Sequence, residues 1–452
     1  MLNNQEPLIM EVHIVSREMV KPSSPATLTK KPYKLCLFDQ LTPTTYSPVI
    51  FFYANNRSSS NTTQVLAHLK RSLSETLDSY FFLSGRTHDN LFIDRFDEGV
   101  PFFEASVSVG LSDFLKHHEH EWLNHLVAYR PFTKEALDSP VVAIQVTVFA
   151  CRGIVIAVSA SHKLIDGPTG SCFLKTWAAM CRGDFSDVSN PQIDEPSMYF
   201  PTRDSFPQNH LSLMESLWFT EANYVTRRFV FGAKSISAIK EMAKSKPEYK
   251  PSRIEALSCF IWKHCMNASK AVSGSPQVSI LVEAVNLRTR TTPPMSSSSI
   301  GDLFWWATAV SNNEDTKSTE LPELVNLLKE AIELYDTDFT KSLQGNEGDE
   351  AIYQYCEQLE GLFSMEKPDI FAFTSWCYLG FTKINFGWGE PIKFATVGKA
   401  GPAFRNLTIF IETKDGKGIE AWITLDQKRM SVLEHDPQFL AFASLNPKIS
   451  SL

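Results

Sequence analysis

The stretch AVSASHKLIDGPTG, residues 157–170, ends an apolar run on a histidine and follows it with an aspartate and a Gly-Pro turn. A neutral imidazole with an ordinary pKa of about 6.5 takes up a proton near neutral pH. As a general base, His162 could activate a hydroxyl or an amine for attack on an acyl carbon. The bland alternative is a histidine satisfied by hydrogen bonds where a strand stops. HxxxD alone discriminates poorly between the two, because any long chain contains several. The Asp-Gly-Pro sequence adds weight, since it sets a turn beside the imidazole. Two roles are open to Asp166: orienting the ring, or bracing the turn by pairing with a distant arginine.

A second chemistry-bearing stretch is KSKPEYKPSRIEAL. Ser252-Arg253-Ile254-Glu255 fits a capping box that opens a helix, and a helix N-terminus attracts phosphate. Lys244, Lys246, Lys250 and Arg253 lie beside it, a local basic patch in an acidic chain. Against this stands a serine that only caps and lysines that are only solvated.

Other chemistries lack their motifs. No GxSxG elbow supplies a serine nucleophile. There is no GxxxxGK[ST] loop, and Gly387-Trp388-Gly389 runs into Glu-Pro-Ile instead of a third glycine, so phosphate-cradling and dinucleotide fingerprints are missing. HHEHEWLNH would place His117, Glu121 and His125 on one face of a helix over 112–127. HExxH is not matched, because Trp122 and Asn124 stand where the second histidine belongs. We read a solvated helix face and expect no metal; a metal hydrolase built on these residues ranks last.

The elements that must position these groups follow from periodicity. Residues 64–80 put Leu66, Leu69, Leu73 and Leu77 on one helical face. Residues 140–161 read as a hairpin around Cys-Arg-Gly. Helical spacing returns after Pro168 through Phe173, Trp177 and Met180, so His162 and Asp166 sit at a strand-to-helix junction, where sites are commonly built. Residues 183–220, rich in Asp, Ser and Pro, read as an interdomain linker. LPELVNLLKEAIELYD is a helix with Pro322 near its start, and KDGK joins a late hairpin.

At 452 residues the chain exceeds one compact core. Its 43% hydrophobic and 21% charged composition is that of a globular protein, and 32 Phe with 9 Trp predict aromatic pockets. A formal charge of −8 argues against nucleic acid or an anionic membrane as partner. Eight cysteines form no CxxC or zinc spacing. The start, MLNNQEPLIMEVHIVSREM, has no apolar core of a secretory signal. No apolar run approaches the roughly 20 residues of a membrane span. The expected setting is cytoplasmic, with reduced thiols and a monomeric chain.

HKLIDG followed far downstream by INFGWGEP resembles the plant BAHD acyltransferases, whose signatures are HxxxDG and DFGWG. The resemblance covers nearly the whole chain and includes SYFFLSGR, AVNLRTRTTPP and FTSWCYLGF; it is strongest with the vinorine synthase-like branch. It implies a mixed α/β (α+β) chloramphenicol-acetyltransferase-like fold in two domains with a channel between them. We expect residues 1–185 to form the first, 186–220 the crossover and 221–452 the second. It further implies an acyl-CoA co-substrate, acetyl-CoA first, no bound cofactor, and a small alcohol acceptor of alkaloid or terpenoid type.

By the same resemblance His162 is the base, Asp166 pairs with Arg288 as structural support, Thr374 donates to the oxyanion and Trp376 faces the acceptor. Ser252, Arg253 and Lys250 belong to the CoA entrance. The second signature, Asn385-Phe386-Gly387-Trp388-Gly389, is structural, and Asn385 departs from the usual Asp, whose charge makes an ion pair in the family. Tyr378 replaces a frequent basic residue, which disfavours a carboxylate acceptor. Two rivals remain: an amide-forming member with the same base, and a non-catalytic ligand-binding relative.

Overall fold

The computed structural model describes residues 10–54, 61–116, 120–129, 139–204, 210–220, 223–246, 248–311, 320–344, 348–364, 368–396, 403–404 and 406–447. Two mixed sheets carry the architecture. The first runs Val12–Val20, Val100–Val107, Val142–Phe149, Ile154–Ser161, Tyr46–Tyr53, Lys393–Ala395 in spatial order. The second runs Phe304–Ser311, Ser279–Asn286, Asp369–Ser375, Leu407–Glu412, Ile419–Asp426, Tyr224–Phe231, Ala443–Leu445. Strands and helices alternate irregularly along the chain.

The predicted hairpin is present: Val142 pairs with Ala160 and Val148 with Ile154, antiparallel. Both strands are buried along nearly their whole length, which explains their continuous apolar runs. The helix Gly167–Arg182 follows at once. Asp166 is its N-cap, accepting from the Thr169 amide at 2.9 Å, and Gly183 ends it in the left-handed region at φ 70°. Its Trp177 is fully buried and donates to the Leu69 carbonyl at 3.3 Å in the helix Thr62–Thr76. Leu66, Leu69 and Leu73 form that helix's buried stripe. Truncating Trp177 to Ala would cost about 3–5 kcal/mol through the cavity left behind.

The late segment Lys393–Ala395 pairs antiparallel with Tyr46–Tyr53, Phe394 opposite Phe51, so it completes an edge of the first sheet. The Lys393 amine lies 6.0 Å from the Phe52 ring and 5.9 Å from the Trp422 ring, one on each sheet. A cut at residue 221 therefore does not follow the strands, because backbone pairing returns this stretch to the N-terminal sheet. Residues 183–220 are also more built than an open linker. They contain Glu195–Tyr199 and His210–Trp218, and Phe200 is buried edge-on against Phe38 at 4.9 Å. Proline and aspartate there prevent long elements without preventing packing. Buried apolar side chains of both sheets join in one continuous cluster. No described helix is long and apolar enough to cross a membrane.

Candidate active site

A cavity of about 350 Å³ opens between the sheets. His162, Thr42 and Ser47 line it from the first half of the chain, and Phe304, Thr374, Trp376 and Trp422 from the second.

His162 comes directly after the strand Ile154–Ser161, and its amide donates to the Thr45 carbonyl at 2.7 Å. The Leu164 and Ile165 amides return to the Ser161 carbonyl at 3.3 and 3.0 Å, so the chain turns sharply and leaves the imidazole at the sheet's end. Its side chain keeps 30% exposure, and Nδ1 lies 3.1 Å from Oδ1 of Asp302, which has none. The ring meets Phe304 edge-on at 5.4 Å. Burial depresses the imidazole's pKa, but the Asp302 carboxylate outweighs it, with Asp166 and the residue's own carbonyl adding to the net upward shift.

Asp166 does not meet the imidazole in a hydrogen bond. Its Oδ2 accepts from Arg288 Nη1 at 2.5 Å and its Oδ1 from Nη2 at 3.0 Å, a bidentate pair buried at both ends. Arg288 also donates to the Ser299 and Gly301 carbonyls, and the Leu303 amide donates to Asp166 Oδ2 at 3.1 Å. Asp166 thus fixes the segment that carries Asp302, and of its two roles the structure realises the bracing one.

Asp302 was invisible to motif reading. In SSSSIGDLFWW it is a lone acid before an apolar run, and no spacing rule ties position 302 to 162; its one signal is a charge in a stretch that must be buried. Its Oδ2 accepts from the Thr42 hydroxyl at 2.5 Å, and its amide donates to Asp39 Oδ1 at 2.7 Å. Lys163, next to the histidine, is buried and donates to the Asp39 and Thr42 carbonyls at 3.1 and 2.7 Å. Burial pulls that amine down to about 8 and pushes the Asp39 carboxyl up to about 7.

Thr374 and Trp376 stand at and just beyond the end of Asp369–Ser375, in the cavity wall. The Trp376 amide is fixed to the Phe410 carbonyl at 2.8 Å, and its ring packs on Phe394 at 6.0 Å.

At the helix Arg253–Ser273 the capping box is complete: the Glu255 amide donates to Ser252 Oγ at 3.1 Å and the Ser252 amide to Glu255 Oε2 at 2.7 Å. Arg253 lies over the Tyr378 ring at 5.1 Å, donates to the Tyr378 hydroxyl and pairs with Glu412 at 3.3 Å. Tyr378 is exposed at φ 65°, and the neighbouring Cys377 lines the cavity. Lys250 is exposed, and Lys244 pairs with Glu241 at 2.6 Å. Ser252, Arg253 and Lys250 lie outside the cavity lining.

The Asn385–Gly389 loop is also outside the lining. Asn385 Oδ1 accepts from the Gly387 and Gly389 amides at 2.8 and 2.9 Å, and its carbonyl accepts from Arg182 at 2.5 Å. Gly387 and Gly389 adopt φ of 101° and 98°, which a side chain would strain. Phe386 packs on Trp177 at 4.8 Å and Trp388 on Tyr53 at 5.8 Å, pinning the loop to the N-terminal half.

The predicted helix over 112–127 is instead an α-helix Leu111–Lys116 and a 3₁₀ turn His120–His125. His117 lies outside the described residues, so the expected one-face alignment with Glu121 and His125 rests on a helix that is not continuous. Among the described residues no group of three or more acidic, His or Cys side chains could hold a metal.

The Transferase family model matches residues 10–440. Limonoid 7-O-acetyltransferase of Citrus sinensis is 38% identical over 461 residues, covering 97% of this chain and 99% of that protein. Akuammiline synthase 2 of Alstonia scholaris is 36% identical over 446 residues, covering 97% and 98%. The crystal structure of vinorine synthase matches with a TM-score of 0.81 at 31% identity, over 96% of this chain and 99% of that one. With the same two-domain mixed α/β fold and relatives aligned end to end, the chain belongs to the Transferase family, the BAHD acyltransferases, on the vinorine synthase-like branch.

Proposed function

We propose that the chain transfers an acyl group, acetyl before longer ones, from coenzyme A to a hydroxyl of an alkaloid or terpenoid alcohol. The observation that carries this reading is His162, held at a strand end in the cavity wall with Nδ1 turned to a buried carboxylate. That leaves Nε2 for the acceptor. Nε2 removes the hydroxyl proton as the oxygen attacks the thioester carbonyl. The tetrahedral oxyanion accepts from the Thr374 hydroxyl, the C–S bond breaks, and the coenzyme A thiolate takes the proton back from the imidazolium. No acyl-enzyme forms.

Binding follows the same plan. Phe304, Trp306, Trp376 and Trp422 make an apolar aromatic wall for a bulky polycyclic acceptor. The names of the Citrus and Alstonia relatives agree with a terpenoid or alkaloid skeleton. Coenzyme A enters beside the start of Arg253–Ser273, where the helix terminus, Arg253 and Lys250 meet its phosphates. The test is transfer from labelled acetyl-CoA to a panel of terpenoid and alkaloid alcohols by the wild type and His162→Ala. The variant should lose at least about 10²-fold; turnover near wild type in a folded variant would sink the mechanism.

A further inference from the structure

We propose that Asp302 is the positioning residue of His162: its carboxylate holds the imidazole with the proton on Nδ1 and Nε2 bare toward the cavity, and balances the imidazolium formed during transfer. The proposal rests on the reading of His162 as the base.

The geometry is one-sided. Oδ2 of Asp302 is engaged by the Thr42 hydroxyl, whereas Oδ1 has no hydrogen-bond partner among the described residues and lies 3.1 Å from Nδ1. A fully buried carboxylate with a free lone pair is costly unless a donor or a cation answers it, and the imidazole is the group within reach. Both neighbours of the carboxylate along the chain are tied down. The Asp302 amide is bonded to Asp39, and the Leu303 amide to Asp166, itself locked by Arg288. Thr42 is held in turn, because Lys163 grips its carbonyl. The acid therefore has a fixed place beside the ring, and Phe304 closes one flank of the imidazole.

The proton balance is simple. When Nε2 takes the acceptor's proton, Nδ1 keeps its own and Asp302 remains ionised; when the thiolate leaves, the proton departs from Nε2. The charged groups around the pair are Asp166, Asp39, Lys163 and Arg288, with Glu215 acting on Lys163. Asp302→Asn leaves all of these in place and keeps an acceptor oxygen near Nδ1 while removing the charge.

The experiment is ¹⁵N NMR of the full chain labelled in histidine, with the His162 signal identified by its loss in His162→Ala. The expected wild-type spectrum shows a neutral ring protonated on Nδ1. Its titration should move to lower pH in Asp302→Asn, because imidazolium loses its counter-ion. A neutral ring protonated on Nε2 overturns the proposal, and so does an unchanged midpoint in a folded Asp302→Asn variant. If that variant does not fold, the wild-type tautomer alone decides. Transfer from acetyl-CoA by His162→Ala answers the separate question: retained turnover removes the base reading and leaves the NMR result standing.

Discussion

Asp166 and Arg288 form a buried bidentate ion pair, 2.5 and 3.0 Å, and neither oxygen of that aspartate is the one facing the imidazole of His162. The signature acid and the ring's partner are different residues, 166 and 302, joined through the Leu303 amide. The HxxxDG motif is thus one end of a longer construction. A turn-capping acid binds an arginine from the other half of the chain, and that arginine holds the segment delivering the second acid.

Breaking the pair should be expensive. Arg288→Met leaves Asp166 buried without its countercharge, a loss of about 3–5 kcal/mol. Asp166→Asn should cost a similar amount, even though the amide oxygen can still cap Thr169. Activity should fall in both, because the Gly301–Leu303 segment shifts under His162. Chemical denaturation measures the first effect. A loss below about 1 kcal/mol in both variants would mean that the pair is replaceable by the surrounding carbonyls and hydroxyls.

The upward shift of His162 has a definite consequence for pH. In the proposed mechanism His162 acts only when neutral, so kcat/KM should fall as pH drops through a midpoint above the ordinary histidine value of about 6.5. The sign for stability is opposite. A histidine whose folded pKa is raised contributes stability that is complete below its unfolded pKa and is lost as pH rises through the folded one. The enzyme is therefore most active where this contribution has faded. A pH–rate profile with an acid limb at or below pH 6.5 would contradict the shift.

Much of this was readable in the chain, for a physical reason. The hairpin, the capped helix after Pro168, the leucine stripe of 64–80 and the Ser252 box are local, and their signals are periodicity and turn chemistry. Residue types and spacing alone left the Asp166 choice between orienting and bracing open, because the answer depends on Arg288, 122 positions away in sequence; only the family resemblance pointed to that pair. Asp302, Thr42 and Lys163 were not legible at all. Each is an ordinary residue type whose role comes from being buried beside the others, and burial in a cavity wall between two sheets is not a local property. The same reason hid the strand Lys393–Ala395, whose partner lies near the other end of the sequence.

Asn385 should tolerate its missing charge. Its Oδ1 needs only to accept from the Gly387 and Gly389 amides, which an aspartate oxygen does as well. Arg182 already donates to the Asn385 carbonyl and pairs with Asp187 at 2.9 Å. Asn385→Asp brings a carboxylate to the loop's amides and near that guanidinium, worth about 0.5–1 kcal/mol of added stability. Thermal unfolding with unchanged transfer activity is the expected outcome. A tenfold loss of activity would show a function for the amide that its hydrogen bonds do not reveal.

Coenzyme A recognition can be tested without knowing the acceptor. The basic residues near the helix start are partly occupied: Arg253 by Tyr378 and Glu412, Lys244 by Glu241, which leaves Lys246 and Lys250 exposed. A phosphate arriving there must compete with Glu412 for Arg253, so binding should weaken with rising salt. At about 100 times its dissociation constant, acetyl-CoA should add roughly 2.7 kcal/mol of stability. In Arg253→Ala the same concentration should give a clearly smaller thermal shift, and in Lys250→Ala an intermediate one. If both variants respond like wild type, coenzyme A enters elsewhere. If the wild type itself shows no response to any acyl-CoA, the chain is a ligand-binding relative that has kept the fold without the donor.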